Sequence, residues 1–208
     1  MPPVVVPVRD NGPVRIHPGE YERLALRAHS LLADVPLHDV WAVDLPDGGP
    51  GRTVLDLQAV ISAEKLRAVT PSVRFLFRLR AWLGRIFRWD RERLRPPRDS
   101  FLPRLSAAER ESSLIAPGTR DGSRWILFVS QRESISELQN ATVHAFSVIA
   151  MTERPGGYRA YWAIYVRPVG RITAWYFRLI DPFRRLLIYP TVLREVRVAW
   201  ARAHGATP

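Results

Sequence analysis

The C-terminal third of the chain carries the pattern that most constrains its fold. Two β-type runs, residues 138–151 and 158–167, flank the turn sequence Glu153-Arg-Pro-Gly-Gly157, which is typical of a β-hairpin. A basic amphipathic segment with helical spacing follows at 172–204, and each of its two prolines is expected to kink or interrupt the helix. This order predicts an α+β fold in which an antiparallel sheet grips a long C-terminal helix, with additional helices upstream.

Helix-start signals and short β-type runs predict the remaining elements. Residues 1–14 are rich in Pro and Val and indicate an extended arm, while residues 15–208 have the length and composition of a single domain. Thr53 with Asp56, and Ser106 with Glu109, have the spacing of capping boxes, so a helix should begin after each serine or threonine. The expected elements are helices at 17–34, from 53 and at 71–91, a short helical turn from 106, and strands at 40–45 and 125–129.

Composition excludes several classes of site. The chain has no Cys, which excludes disulfides, thiolate metal sites and cysteine nucleophiles. Its five His residues are dispersed without metal-site spacing, and neither a glycine-rich phosphate loop nor a nucleophile elbow occurs. We therefore expect no metal, no cofactor and no catalytic motif of a common enzyme class. The N-terminus has no basic region ahead of a long apolar run, which predicts a cytoplasmic protein.

The net charge of +11 is concentrated in two stretches. Residues 73–104 carry ten Arg against three acidic residues, and residues 167–202 carry eight Arg against two. Basic faces favour anionic partners, and the amphipathic pattern at 73–89 fits either a helix on an anionic membrane surface or a helix packed on its own sheet. Nucleic acid is a less favoured partner because no nucleic-acid-binding fold signature accompanies the charge. Thirty Arg against the single Lys65 is also typical of GC-rich bacterial genomes.

Aromatic side chains in the predicted sheet and terminal helix indicate where a small molecule would bind. Ligand pockets are mostly aromatic with a few polar groups, although the same residues also suit an ordinary core. In the last strand, the even-numbered residues from Tyr158 to Val166 are expected to face the core. The candidate lining residues are His144, Phe146, Trp162, Ile164, Tyr165 and Tyr176. Either Arg178 or Arg184 would meet an acidic head group.

His144 is the only His within a predicted strand, and it leaves a second hypothesis open. A His that faces a cavity can act as a general acid or base, so the cavity could serve an enzyme acting on a polyketide-like or lipid-derived substrate. The competing interpretation is a structural His whose hydrogen bonds are satisfied on the sheet. No residue is therefore assigned a catalytic role.

Four segments of the chain resemble the bacterial DUF2867 proteins, a group without an assigned function. These segments are 31–46, 71–89, 161–168 and Ile180-Asp-Pro-Phe-Arg-Arg-Leu-Leu-Ile-Tyr-Pro190, of which the last is the most specific. The resemblance implies a helix-grip, START-like (SRPBCC) fold, with a ligand cavity between an antiparallel sheet and a C-terminal helix. Such scaffolds host carriers, receptors and enzymes, so no catalytic residue is implied. The leading hypothesis is a protein that binds an apolar or amphipathic small molecule in that cavity.

Overall fold

A seven-stranded antiparallel sheet organises the part of the chain that the computed structural model describes, residues 12–61, 99–139, 143–168 and 181–205. Its strands are β1 (Val14–Arg15), β2 (Leu37–Pro46), β3 (Arg120–Asp121), β4 (Arg124–Val129), β5 (Glu133–Gln139), β6 (Val143–Arg154) and β7 (Gly157–Pro168). Their order across the sheet is β1-β2-β7-β6-β5-β4-β3. The first long strand, β2, therefore pairs with the last strand, β7.

Helices cover both faces of this sheet, so the described fold is α+β as predicted. The helices are α1 (Pro18–Glu22), α2 (Arg27–Leu31), α3 (Val54–Ile61), α4 (Ala107–Ser112) and α5 (Tyr189–Ala203), and a short 3-10 turn spans Leu102–Arg104. α1, α2 and residues 101–105 pack on one side, which we call the α1–α2 face. α3 and α5 pack on the other side, which we call the α5 face.

Both faces of the central strands are buried, which corrects the expectation that only the even-numbered residues of β7 face the core. Tyr161, Ala163 and Tyr165 are buried on the α1–α2 face, whereas Tyr158 and Ala160 are buried on the α5 face. A strand that is covered on both sides requires apolar residues at successive positions rather than alternation with polar ones. The nearly continuous apolar run of β7 has this composition.

The predicted turn between the last two strands is confirmed as a β-hairpin. Arg154 pairs with Gly157 across the turn, which occupies residues 155 and 156. Gly157 has a φ of 149°, and a Cβ at this position would lie 2.1 Å from the carbonyl oxygen of Leu45. Only glycine therefore permits the close approach of β2 to the start of β7.

Two predicted elements are each divided in the structure. The β-type run at 138–151 is split between β5 and β6, which pair antiparallel with Gln139 opposite His144. The single helix expected at 17–34 is replaced by α1 and α2. The carboxylate of Glu133 in β5 accepts hydrogen bonds from the backbone N–H groups of Arg27 and Ala28, at 2.6 Å and 3.0 Å. This long-range contact satisfies N–H groups at the start of α2 and so stabilises a separate second helix.

A π turn, Arg184–Ile188, leads into α5. The backbone N–H of Tyr189 donates to the carbonyl of Arg184, five residues earlier, and Pro190 lies in the first turn of α5. A proline ring would clash with the carbonyl four residues before it in a regular α-helix, and a wider turn avoids that clash. The interruption predicted at Pro190 thus takes the form of a π turn.

Several predictions concern residues outside the described ranges and stay predictions. They are most of the arm at 1–14, the helix at 71–91 with its basic face, and the beginning of the C-terminal helix before residue 181. The assignment of 15–208 to one domain and the cytoplasmic location also stay predictions. No helix in the described part of the chain is long and apolar enough to cross a membrane.

Both predicted helix starts are confirmed, and the capping box is complete at the second of them. Asp56 accepts a hydrogen bond from the backbone N–H of Thr53 at 2.8 Å, and α3 begins at the next residue. At α4, Ser106 and Glu109 form a reciprocal capping box, and Glu109 also forms an ion pair with Arg27. The backbone N–H of Ser106, followed by the side chain of Arg27, lowers the pKa of Glu109 to about 2. The ionised form of Glu109 therefore stabilises the start of α4.

We expect this stabilising effect to disappear in acid. Because the pKa of Glu109 is lower in the folded chain than its ordinary value of 4.5, its contribution is complete above that value and is lost as the pH falls toward 2. The difference in unfolding free energy between the wild type and Glu109→Gln should shrink over this interval, which urea unfolding at several pH values would measure. Glu111→Gln, at an exposed position of the same helix, is the matched control. A difference that stays constant down to about pH 3 would contradict this assignment.

Candidate functional site

Charged side chains converge at the edge of the sheet where β1, the start of β2 and the π turn meet. We call this group the edge cluster, and it consists of Arg15, His38, Asp39, Asp181, Arg184 and Arg185. Its members come from three separate parts of the chain, which β-pairing and the packing of α5 bring together.

Asp39 forms the buried centre of the edge cluster. Its side chain is 1% exposed and accepts hydrogen bonds from Nε of Arg15 at 2.6 Å and from Nε of Arg185 at 3.3 Å. Arg15 reaches this position because β1 pairs with β2, and Arg185 reaches it from the π turn on the other side. A buried carboxylate is tolerated where it is paired and hydrogen-bonded, and Asp39 meets both conditions.

Asp181 links the π turn to the beginning of β2. Its carboxylate lies 3.4 Å from Nη1 of Arg184 and 3.4 Å from Nη2 of Arg185, three and four residues later. The same carboxylate lies 3.0 Å from Nε2 of His38. Residues at these spacings face the same side of a helical turn, so both guanidinium groups are held toward the sheet.

Tyr189 connects the edge cluster to the core of the α5 face. Its hydroxyl accepts a hydrogen bond from Arg184. Its ring stacks on Trp41 with centroids 5.3 Å apart and meets the ring of Trp162 edge-on at 5.1 Å. Burial raises the pKa of Tyr189 to about 12, so its hydroxyl remains protonated near neutral pH. The polar cluster thus rests on a layer of packed aromatic rings.

A groove with a volume of about 330 Å³ opens beside the edge cluster. The groove is lined by Arg15, Ile16, His17, Pro18, Leu37, His38, Asp39 and Val40. Nδ1 of His17 accepts a hydrogen bond from the backbone N–H of Gly19 at 3.1 Å, so the neutral ring carries its proton on Nε2 and can donate there. The lining combines an apolar wall with hydrogen-bond donors.

The edge cluster carries an excess of positive charge. Among the described side chains of the cluster, the guanidinium groups of Arg15, Arg184 and Arg185 exceed the two carboxylates by one formal positive charge when His38 is neutral. Arg15 is the most accessible of the three because its side chain is 51% exposed. This arrangement can neutralise one bound anion, and a guanidinium group can bind a carboxylate through two parallel hydrogen bonds.

The structure separates the predicted ligand-binding residues between the two faces of the sheet. Trp162 and Ile164 are half-buried on the α5 face. His144, Phe146 and Tyr165 are buried on the α1–α2 side of the sheet, so the set cannot line one cavity between the sheet and the C-terminal helix. The physical reason is strand alternation, since successive side chains of β7 point to opposite faces. Arg184 lies in the edge cluster, while Tyr176 and Arg178 lie outside the described residues.

Aromatic side chains on the α5 face contact one another directly. Trp200 of α5 meets Tyr158 edge-on with centroids 5.8 Å apart, and its Nε1 donates to the carbonyl of Pro46 at 3.1 Å. Tyr189 and Trp162 make a similar contact nearer the π turn. These described side chains form packed core, which is the ordinary interpretation of the aromatic pattern in the sequence.

A second polar group is enclosed on the α1–α2 face, and we call it the interior cluster. Glu137, which is fully buried, accepts hydrogen bonds from the hydroxyl of Ser100 and from the backbone N–H of Phe101 at 3.1 Å. Nε2 of His144 lies 3.3 Å from the same carboxylate, and the His144 ring packs against Phe101 and Phe146. Its burial at 1% exposure favours the structural interpretation of His144.

Of the six members of the edge cluster, only Arg184 is among the ligand-binding residues predicted from the sequence. A partial signal was present, because His38 and Asp39 lie in one segment that resembles DUF2867 and Asp181 lies in another. Hydrophobic periodicity does not predict that these segments are in contact, since His38 and Asp181 are 143 residues apart in sequence. Within the described ranges, no group of three His, Asp or Glu side chains is arranged to hold a metal ion.

Comparison with known proteins supports the resemblance noted in the sequence. No curated protein and no solved structure matches the chain. Residues 31–191 match the model of a family described as a protein of unknown function, DUF2867. The match extends from α2 into the start of α5 and includes every member of the edge cluster except Arg15. Because it covers more than half of the sequence, the chain belongs to the DUF2867 family.

Proposed function

We propose that the protein binds a small amphipathic anion, with its acidic group at the edge cluster and its apolar part along the groove. The observation that carries this proposal is the half-exposed guanidinium group of Arg15, which Asp39 holds beside an apolar-walled groove. The groove volume falls within the range of about 300–1,000 Å³ that is usual for small-molecule sites. The hypothesis of an amphipathic ligand is thereby retained, and its place moves from the interior to the edge of the sheet.

Arg15 is the expected partner of the acidic group. Asp39 accepts a hydrogen bond from Nε of Arg15 and so orients the guanidinium group, whose Nη atoms can turn toward a ligand because the side chain is half-exposed. Nε2 of His17 offers a second donor on the same groove. A carboxylate bound there would exchange hydrogen bonds with water for charge-assisted hydrogen bonds to the protein.

Ile16, Leu37 and Val40 supply the apolar wall. Val40 is fixed by the ladder between β2 and β7, and Ile16 by a hydrogen bond from its backbone N–H to the carbonyl of Val40 at 3.1 Å. A preformed wall costs little conformational entropy on binding, which favours association with a short alkyl or aromatic group. The ligand class is therefore a carboxylate or similar anion that carries a compact apolar group.

We further propose that the scaffold is of the helix-grip type. Three features support this assignment: β2 pairs with the last strand, the chain then meanders from β3 to β7, and α5 lies across one face. The edge cluster lies at the edge of this sheet, beside the turn that leads into the C-terminal helix.

The charge requirement can be tested with decanoate and the uncharged decanol, which share one alkyl chain. We expect isothermal titration calorimetry to show tighter binding of decanoate than of decanol to the wild type. Arg15→Gln should weaken decanoate binding by about tenfold or more, because a hydrogen bond to a charged group contributes about 1.5–3 kcal/mol. Decanol binding should change little.

Arg124→Gln is the matched control, because Arg124 is a partly exposed Arg that is paired with Asp121 near the opposite edge of the sheet. Equal affinities for decanoate and decanol, or an Arg15→Gln variant that binds decanoate as the wild type does, would contradict the proposal. Native mass spectrometry of the purified protein, with organic extraction of any adduct, would identify the class of a ligand that is bound during expression.

A further inference from the structure

Three large apolar side chains project into solvent from the turn that leads into α5. Phe183 is 53% exposed, Leu186 is 75% exposed and Leu187 is 50% exposed. The other large hydrophobic residues that are exposed in the described part of the chain are Val14 and Leu114, each from a separate segment. Exposed apolar side chains are ordinary when they are scattered, whereas three within five residues form a patch.

The orientation of this turn is the reverse of that found on a surface helix. Asp181 and Asp39 hold Arg184 and Arg185 against the protein, so the charged side chains of the turn face inward. The apolar side chains consequently face outward, where they remain in contact with water. A surface helix normally buries its apolar stripe and exposes its charges. Leucine and phenylalanine side chains that stay in water contribute no burial free energy to the monomer, so a cluster of them marks a candidate interaction surface.

The surface next to this patch is basic. Arg194 and Arg202 are both exposed on α5, seven and fifteen residues after Leu187, and these spacings place them near the same outer side of the helix. The opposite side of α5 packs on the sheet through Leu193, Val196 and Trp200. The outer surface therefore carries an apolar tip followed by two exposed arginines and the less exposed Glu195, in a chain whose net charge is +11.

This combination matches an anionic bilayer better than a protein partner. A stable protein interface usually buries about 800 Å² on each side, which three side chains on one turn do not supply. A second copy of this chain would bring a second large positive charge to the same surface. By contrast, a few apolar side chains that enter the head-group region, together with arginines near lipid phosphates, are sufficient for peripheral membrane binding.

We propose that the turn at 183–187 inserts into the surface of an anionic membrane, with Arg194 and Arg202 contacting lipid phosphates. This membrane contact involves different side chains from the proposed ligand groove, so each proposal can be tested independently of the other. It also differs from the interpretation of residues 73–104 as a membrane helix, because it depends on side chains that the structure describes.

The test uses the full-length protein and co-sedimentation with vesicles of phosphatidylcholine, with and without phosphatidylglycerol. We expect binding to vesicles that contain phosphatidylglycerol and weaker binding as salt is added, since salt screens the arginines. The double variant Leu186→Ser with Leu187→Ser should bind about a hundredfold more weakly, because each leucine buried in the membrane contributes on the order of a factor of ten. Arg194→Gln with Arg202→Gln should reduce the preference for the anionic lipid.

Leu114→Ser is the matched control, because Leu114 is 49% exposed but lies far from this turn in sequence. Thermal unfolding should be similar for all variants, since each changed side chain is exposed. Three results would overturn the proposal: no binding of the wild type to anionic vesicles at low salt, binding that persists unchanged in the double leucine variant, or a wild-type dimer that this variant abolishes without any vesicle binding. Persistent binding would assign the membrane contact to other residues, such as 73–104.

Discussion

Trp200→Ala should lower the free energy of unfolding by about 3–5 kcal/mol, as is usual for truncation of a fully buried tryptophan. Trp200 is 0% exposed and joins three parts of the α5 face. Its ring packs edge-on against Tyr158, and its Nε1 donates to the carbonyl of Pro46 at the end of β2. A Cβ at Gly48 would lie only 2.8 Å from the Trp200 ring, so the loop after β2 also packs closely against this ring.

Urea unfolding followed by circular dichroism measures this loss. Trp200→Phe should be less destabilising than Trp200→Ala, because it keeps most of the apolar contact and loses the hydrogen bond to Pro46. Arg202→Ala, at an exposed position of the same helix, should change stability by about 0.5 kcal/mol or less. A loss below about 1 kcal/mol for Trp200→Ala would show that the end of α5 contributes little to the fold.

Glu137→Ala should also destabilise the protein by about 3–5 kcal/mol, because it leaves buried hydrogen-bonding groups without their charged partner. The carboxylate accepts from the hydroxyl of Ser100 and the backbone N–H of Phe101, and it lies beside Nε2 of His144. Truncation to alanine also leaves a cavity in a packed interior. Glu137→Gln should be less harmful, because the amide keeps one acceptor oxygen. It should still destabilise the protein, because the amide NH₂ group would face a neighbouring donor.

The role of Glu137 can be distinguished from that of its partner by chemical denaturation. If Glu137 anchors residues 100–101 to the sheet, then Glu137→Ala should cost more stability than His144→Leu, which leaves both of those hydrogen bonds in place. Glu153→Ala, at an exposed position of β6, provides a control for loss of a surface carboxylate. A larger effect of His144→Leu than of Glu137→Ala would identify the pair itself, rather than the anchor, as the main stabilising contact.

The two polar clusters differ in their accessibility and therefore in the role that each can have. The interior cluster is enclosed, and its hydrogen bonds hold chain segments together on the α1–α2 face. The edge cluster borders a groove and includes an accessible guanidinium group. The proposed binding site therefore lies at the edge of the sheet, whereas His144, one of the polar candidates predicted from the sequence, lies in the core.

Local features of this protein were predictable because their causes lie within a few residues. The hairpin at 153–157 follows from its glycines, and the caps at Thr53 and Ser106 follow from an acidic residue three positions later. The α+β class and the placement of a C-terminal helix on an antiparallel sheet follow from the order of these elements. The DUF2867 resemblance was also correct, because it depends on sequence alone.

Only the tertiary structure determined which polar residues are buried and which of them meet. Glu133 and Glu137 interrupt the apolar pattern of β5, so hydrophobic periodicity does not predict this strand. Each carboxylate is nevertheless buried, because it accepts hydrogen bonds from N–H groups of a distant segment. In the same way, Asp39 and Asp181 both pair with Arg185 only because β2 pairs with β7 and α5 packs over that pair. A sequence specifies local conformation through neighbouring residues, whereas a cluster of this kind depends on contacts between segments that only the folded chain brings together.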